Sequence, residues 1–155
     1  MSSGEITING ERVVVRGAGV DEIMGVRMAV IIEGTDRATG AFDGDDAETT
    51  RHIGAFVGEQ NVGCATYLCG ERDGEAAWQL RGMGVLGAYQ GRGIGALLAV
   101  ESERLLGLAS PIRLMWCNAR EGAVGFYERL GWTTASEAFD VKGVGLHRVL
   151  VKRLT

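Results

Sequence analysis

Three glycines within five positions are the feature that most constrains the fold of this chain. They stand at Gly91, Gly93 and Gly95, after an apolar run that ends at Leu86 and around the start of a leucine-rich segment at Ile94. A helix that begins on glycine leaves its first backbone N–H groups exposed, with the positive end of the helix dipole behind them. Such an end attracts an anion, most often phosphate. The stretch therefore predicts a strand, an anion-binding turn and a helix in succession.

Length and composition indicate one ordinary globular domain over residues 1–155. Apolar residues make up 46% of the chain and charged residues 23%, which disfavours disordered and fibrous classes. The net charge of −4 at pH 7 lacks the basic surface that nucleic acid binding requires. The sequence shows neither a basic-then-apolar leader nor an apolar run of bilayer length, so we expect a cytoplasmic protein without membrane contact.

The three cysteines of the chain are Cys64, Cys69 and Cys117. They are odd in number and lack the spacing of metal ligands, which disfavours a disulfide framework and a zinc site. We therefore expect three free thiols and no metal.

Hydrophobic periodicity predicts a mixed α/β arrangement. Apolar runs joined by turn residues between positions 51 and 86 indicate a meander of antiparallel strands. Gly82 and Gly84 lie inside the last of these strands, which indicates a bulge or a close approach by another segment. Residues 33–49 are polar and predict a loop or a weak helix. The predicted strands are residues 11–16, 51–57, 62–69, 76–86, 112–117, 132–136 and 144–154, and the predicted helices are residues 20–32, 94–108 and a short helix after Asn118 that ends before Gly131.

Two nucleotide-binding motifs compete for the glycine-rich turn. Residues 91–96 match the dinucleotide pattern G-x-G-x-x-A, but the next predicted strand ends in Trp-Cys-Asn and offers no acidic residue for the ribose. A P-loop requires Gly-Lys followed by Ser or Thr, whereas this turn closes with Gly95 and Ala96. The P-loop is excluded, and an NAD-dependent oxidoreductase is the least favoured of the functions considered.

The turn and a later segment together resemble the GNAT acyltransferases, which use acyl-CoA. Val85 and the run Gln90–Gly95 are similar to the family's strand ending in Val and its Q/R-x-x-G-x-G/A turn. Residues 117–132, CNAREGAVGFYERLGW, resemble its Asn, Ala, Phe-Tyr and Leu-Gly-aromatic pattern, and residues 143–147 resemble a Gly-x-Gly-x-His close. The resemblance is strongest over residues 76–132. It implies a mixed, mostly antiparallel sheet of about six to seven strands flanked by helices, with a splayed central strand pair.

The resemblance also implies acetyl-CoA as the cosubstrate. Backbone amides of Arg92–Ala96 would hold the CoA pyrophosphate, and main-chain groups near Met83 and Val85 would hold the pantetheine arm. Asn118 would bond the pantetheine or help to cap the following helix. Family members often dimerise through end strands, which makes a homodimer a further expectation. The implied cofactor-binding residues are Met83, Val85, Gln90, Gly91, Arg92, Gly93, Ile94, Gly95, Ala96 and Asn118.

Proton handling would carry the chemistry, because families of this kind pass the acyl group directly from thioester to amine. Tyr127 matches the tyrosine that faces the CoA sulfur, and a phenol can donate to the departing thiolate. Gln79 stands where many members have a glutamate base, and an amide cannot take up a proton. An ordered water, Glu137 or His147 would replace that base, although a surface carboxylate and a structural histidine are the favoured alternatives for these two residues. For Tyr127, packing on the apolar face of its helix is the alternative role.

The acceptor is expected to be a primary amine of a small molecule, amino acid or peptide. Its specificity should lie in residues 20–50 and the final strands, which resemble the family least. Arg27 and Arg81 would suit a substrate carboxylate, whereas the acidic residues 43–48 would suit an amine, and solvated surface charge would explain each feature equally well. A non-catalytic acyl-CoA-binding module is the main alternative, because Gln79 replaces the usual base.

Overall fold

The computed structural model describes residues 4–155. In this part of the chain nine strands form one sheet, and three α-helices accompany it. The strands are β1 (Glu5–Ile8), β2 (Glu11–Ala18), β3 (Arg51–Val57), β4 (Gln60–Arg72), β5 (Glu75–Val85), β6 (Leu114–Arg120), β7 (Thr133–Thr134), β8 (Phe139–Val141) and β9 (Gly145–Arg153). The helices are α1 (Val20–Val26), α2 (Ile94–Ala109) and α3 (Val124–Arg129), with a π-helical segment at Arg27–Ile32 and short 3-10 turns at Gly87–Tyr89 and Glu121–Ala123.

The sheet is mostly antiparallel. Strands β1 to β5 follow one another in chain order, and each pairs antiparallel with the next. Strand β5 then pairs in parallel with β6, and α2 lies in the crossover connection that a parallel pair needs. Strand β6 pairs antiparallel with β9, which also pairs with β7 and β8. The predicted mixed, mostly antiparallel fold is confirmed.

The central pair of strands separates part-way along its length. Strands β5 and β6 pair only where Ala77–Leu80 lies beside Leu114–Cys117. Beyond this point β6 stays with β9, so that Asn118 pairs with Val149, while β5 continues along β4 as far as Val85. The divergence confirms the expected splayed pair and leaves an opening between the two strands.

Two glycines shape the separating end of β5. Gly82 has a φ of +64°, and the register against β4 shifts beside it, which is the signature of a bulge. A Cβ atom at Gly82 would lie 2.8 Å from the ring of Phe42, and one at Gly84 would lie 2.8 Å from Val30. Both predictions from these glycines, a bulge and a close approach by another segment, are therefore confirmed. The approaching segment is the stretch after α1.

Buried apolar side chains pack the helices against the sheet. Helix α2 buries side chains, among them Leu98 and Leu106, in one hydrophobic cluster with strand residues such as Trp78, Met115 and Leu150. Helix α1 contacts β3 and β4 and belongs to a separate small cluster of Ile23, Val26 and Cys64. Burial of these apolar side chains is the main favourable contribution to the fold.

Most predicted elements are confirmed, with differences in number and bounds. Within residues 4–155 the sheet has nine strands rather than the predicted six to seven, because β1 and β8 are four and three residues long and too short to show a periodicity. The helix expected over 20–32 becomes π-helical from Arg27, and Asn118 lies inside β6 rather than after it. Among the described residues, no helix is long and apolar enough to span a membrane.

Candidate functional site

Two adjoining cavities lie where β5 and β6 separate. The first, here called the glycine cavity, measures about 480 Å³ and reaches the turn before α2. The second, here called the arginine cavity, measures about 330 Å³ and is lined by Arg37, Arg81 and Arg120 among others. Both cavities share the wall residues Val30, Met83, Ala123 and Tyr127. Eight residues selected from the sequence line the glycine cavity: Met83, Val85, Gln90, Gly91, Gly93, Gly95, Ala96 and Tyr127.

The glycines of the turn serve two different purposes. Gly91 and Gly93 have φ angles of +75° and +87°, which other residues rarely adopt. A Cβ atom at either position would meet no described atom within 4 Å, so it is the backbone conformation that favours glycine there. Gly95 is different, because a Cβ atom there would lie 3.2 Å from the ring of Phe126. The absence of a Cβ atom at Gly95 allows α3 to lie close to the start of α2.

The N-terminus of α2 presents unpaired backbone donors. The first hydrogen bond within the helix runs from the N–H of Leu97 to the oxygen of Gly93, at 3.0 Å. The N–H groups of Ile94, Gly95 and Ala96 precede it and have no intrahelical acceptor. Within residues 4–155, no side chain caps this end of the helix. The positive end of the helix dipole thus opens toward the turn.

The side chains of three residues around this turn, Ile94, Arg92 and Gln90, lie in different environments. The side chain of Ile94 is buried in the core, so only its backbone is available to the turn. Arg92 is exposed and lines neither cavity; its guanidinium carbon lies 5.8 Å from the centre of the Tyr89 ring. The side-chain amide of Gln90 donates to the oxygen of Val85 at 2.9 Å, which ties the end of β5 to the turn.

Tyr127 lies in the wall between the two cavities. Its side chain is held edge-on by Phe126 and Trp132, with ring centres 5.2 Å and 5.5 Å away. Burial raises the pKa of the Tyr127 phenol, so it stays protonated at neutral pH. Cys117 lines the arginine cavity, and burial raises the pKa of its thiol to about 12. A hydroxyl donor is therefore present here, whereas a reactive thiolate is not.

The arginine cavity is cationic. Arg37, Arg81, Arg120 and His147 lie in its lining, together with the amides of Gln79 and Asn118. In the described part of the chain, no aspartate or glutamate belongs to this lining. Asn118 does not cap a helix, because α3 begins after Ala123. Its amide lies at the point where β6 separates from β5.

The two arginines suggested by the sequence have different roles. Arg27 is fully buried, and its guanidinium bonds Asp45 at 2.7 Å and 3.1 Å and also Thr66 at 2.7 Å. It is therefore a structural group rather than a substrate contact. Asp45 is occupied in the same pair, so it does not serve as the free acidic group that the sequence suggested. Arg81, in contrast, reaches the cavity lining.

Of the two proposed substitutes for the missing base, only His147 lies at the site. Its Nδ1 is 2.8 Å from the oxygen of Gly145, and a carbonyl can only accept, so Nδ1 carries the proton. The Nε2 atom of the neutral ring is then an acceptor. The ring is buried and stacks on Phe139 with centres 6.1 Å apart. Glu137 is exposed and lines neither cavity.

Sequence reasoning missed Arg37, Phe42 and Arg120. Residues 33–49 carry no periodic pattern, so nothing in them marks Arg37 or Phe42 as facing β5. Arg120 lies inside the segment that resembles a family motif, but it is not one of the residues that form the motif, and its guanidinium donates to the oxygen of Ile31 at 2.6 Å. A contact between positions 89 residues apart leaves no local signal in the sequence.

Comparison with known proteins identifies the family. The sequence model of the acetyltransferase (GNAT) domain matches residues 48–134, more than half of the chain. The chain belongs to the GNAT acetyltransferase family. YitI of Bacillus subtilis (strain 168), named as an uncharacterized N-acetyltransferase, is 34% identical over 113 residues, which cover 71% of this chain and 75% of YitI. Membership in this family makes the chain an acyltransferase enzyme.

Solved GNAT structures share the fold. The crystal structure of Escherichia coli ElaA superposes with a TM-score of 0.76 and 19% identity, over 90% of this chain and 99% of ElaA. An aminoglycoside 6'-N-acetyltransferase complexed with coenzyme A superposes with a TM-score of 0.70 and 11% identity, over 92% of this chain and 97% of that enzyme. These likenesses support the GNAT fold over the dinucleotide-binding alternative for residues 91–96.

Proposed function

We propose that this GNAT enzyme transfers an acetyl group directly from acetyl-CoA to the primary amine of a small molecule, amino acid or peptide. The observation that best supports this is the position of Tyr127 in the wall between the glycine cavity and the arginine cavity. The first cavity would hold CoA and the second the acceptor, so that thioester and amine would meet beside Tyr127. Because acetyl-CoA and free thiols both suit the cytoplasm, a cytoplasmic location is part of this proposal.

The start of α2 would bind the pyrophosphate of CoA. The N–H groups of Ile94, Gly95 and Ala96 would donate to it, since they have no acceptor inside the helix. The left-handed conformations of Gly91 and Gly93 shape the turn that presents these donors. Exposed Arg92 would add a positive charge beside the phosphates.

The free edge of β5 would bind the pantetheine arm. From residue 81 onward, the edge of β5 that faces β6 is unpaired within the described sheet, although its other edge stays with β4. Main-chain groups near Met83 and Val85 would thus bond the amides of an extended ligand, beside the oxygen of Val85 that already accepts from Gln90. Asn118 would contribute its side-chain amide from the opposite strand.

Tyr127 would stabilise the leaving thiolate. As the amine forms the new C–N bond, the C–S bond breaks and the sulfur gains negative charge. Burial keeps Tyr127 protonated, so its O–H can donate a hydrogen bond to that sulfur. The amine loses one proton in the reaction and the thiol product gains one, so the protons balance without a covalent enzyme intermediate.

His147 is our candidate to receive the proton of the amine. Its Nδ1–H is held by Gly145, which leaves Nε2 as the acceptor in a cavity where Gln79 cannot act as a base. We expect His147→Ala to lower kcat by about 100-fold. Added imidazole should restore part of this activity, because it supplies the missing acceptor. Tyr127→Phe is the matched control, since imidazole cannot replace a phenol donor. A fully active His147→Ala enzyme would assign the proton to water.

Calorimetric titration with acetyl-CoA, CoA and NAD tests the cosubstrate, and release of free thiol with a panel of amines tests the transfer. Acetyl-CoA and CoA are expected to bind and NAD is not. Binding without thiol release from any amine would instead favour a non-catalytic acyl-CoA-binding module.

Arg92→Glu should weaken acetyl-CoA binding by about threefold to tenfold at low salt, because the attraction between Arg92 and the phosphates becomes repulsion. Arg113→Glu makes the same charge change beyond the opposite end of α2 and should leave acetyl-CoA binding unchanged.

A further inference from the structure

The arginine cavity holds more positive charge than the described protein neutralises. The guanidinium carbons of Arg27, Arg81 and Arg37 lie 4.0 Å, 4.3 Å and 4.9 Å from the centre of the same ring, Phe42. Arg27 is neutralised by its buried pair with Asp45. Arg37 and Arg81 have no carboxylate within 4.0 Å among residues 4–155. Two cations therefore face the cavity without an ion pair.

The environment of Arg81 is unfavourable to its charge. Burial, followed by the charges of Arg37 and Arg27, lowers the pKa of the Arg81 guanidinium, and the opposing effect of Asp45 and Asp43 is smaller. The group still remains protonated, because an arginine pKa is so high. A cation–π contact with one aromatic ring offsets only a small part of such a cost. An anionic ligand between Arg81 and Arg37 would offset more.

The lining distinguishes a substrate contact from a structural cluster. A structural cluster would be expected to bury its charges in pairs, as Arg27 and Asp45 do. Arg81 instead reaches the same cavity wall as Gln79 and Tyr127, where the acceptor amine would react. Arg120 adds a third guanidinium to the lining, although it also donates to the oxygen of Ile31.

We propose that the arginine cavity selects a small acceptor that carries a carboxylate close to its amine, of the size and charge of an amino acid. The carboxylate would lie between Arg81 and Arg37, and the amine would point toward Tyr127. This inference rests on the proposed function and names the substrate class for the same site. A volume of about 330 Å³ is at the small end of ligand cavities, which favours a compact molecule over a peptide.

The same charges would help the reaction to proceed without a carboxylate base. A positive environment disfavours a bound ammonium ion, so it lowers the pKa of the acceptor amine. The neutral amine is the nucleophile. Because the amine would lose its proton more readily, a base weaker than a carboxylate would be sufficient to produce it. A polyamine has no carboxylate to hold it and would be repelled by the arginines, so the cavity would discriminate against it.

The test compares amino acids with their amides and with polyamines in the thiol-release reaction. The amide pairs keep the amine and the side chain but remove the carboxylate. At least one amino acid is expected to have a kcat/KM about 10- to 100-fold above that of its amide, the range that one charged hydrogen-bonding group contributes.

Arg81→Gln should remove most of this preference for the acid by raising KM for the acid. Arg37→Gln, at an exposed position, should reduce the preference without risk to folding.

A matched control is Arg72→Gln. Arg72 also stacks on an aromatic ring, that of Trp116 at 4.7 Å, but it lines neither cavity. Its substitution should leave the preference for acids unchanged. The inference would be overturned if the enzyme used acids and amides equally well, if it used polyamines or peptides in their place, or if it turned over no amino acid. In each of these cases acetyl-CoA binding with thiol release to any other amine would still support the proposed function, whereas a protein that binds no acetyl-CoA would lose both.

Discussion

Replacement of Tyr127 by phenylalanine is expected to lower kcat by about 100-fold while the Kd for acetyl-CoA stays unchanged. The substitution removes only the hydroxyl group, and the edge-on packing against Phe126 and Trp132 remains. The thiolate that leaves CoA would then lack its donor, whereas binding of the ground state would not depend on it. Thiol-release kinetics and calorimetric titration would measure the two quantities separately.

The control for this prediction is Tyr67→Phe. Tyr67 is also buried, with burial raising its pKa, but it lies in the core and lines neither cavity. Loss of its hydroxyl should leave kcat unchanged in the folded enzyme. An unaltered kcat in Tyr127→Phe would mean that Tyr127 only packs α3 against the sheet, and that another donor or water serves the sulfur.

Replacement of Arg27 by methionine is expected to reduce the free energy of unfolding by about 3–5 kcal/mol. The side chain of Asp45 is 7% exposed, so it would remain buried without its partner, and Thr66 and the oxygen of Gly40 would lose a donor. The whole stability of a protein of this size is only about 5–15 kcal/mol. Urea unfolding followed by circular dichroism would measure the difference.

The effect of Arg27 should depend on pH in a defined direction. Burial raises the pKa of Asp45, but hydrogen bonds from Arg27 and the N–H of Phe42 outweigh it, so the net pKa lies below the ordinary value. This contribution to stability is present above the unfolded pKa of about 3.9 and is lost as pH falls through the lower folded value. Without Arg27, burial should dominate and raise the Asp45 pKa. The variant should therefore be least stable relative to the wild type near pH 7 and approach it near pH 3.

The control pair is Arg16 and Glu22. Their bond is 2.9 Å long, but the two side chains are 47% and 44% exposed, so water already solvates both charges. We expect Arg16→Met to change the free energy of unfolding little. A similar small change in Arg27→Met would contradict the view that the segment after α1 is anchored by a buried ion pair.

The sequence alone was sufficient for the family, the order of the main elements and the turn before α2. These features are local: the glycines at 91, 93 and 95, the apolar face of α2 and the motif around Tyr127 each occupy one continuous stretch. Backbone conformation and helix periodicity follow from neighbouring residues, which is why they can be predicted without a structure. The short strands β1 and β8 were missed because three or four residues show no period.

Only the tertiary structure decided the charge of the arginine cavity. It brought Arg37 and Phe42, from a segment without pattern, beside Arg81 on β5 and added His147 from β9. It also removed Arg27 from the candidates by pairing it with Asp45. In the sequence the acidic residues 43–48 and the scattered arginines look equally exposed. Burial and distance decide which charges are neutralised, and both arise only when segments far apart in the chain pack together.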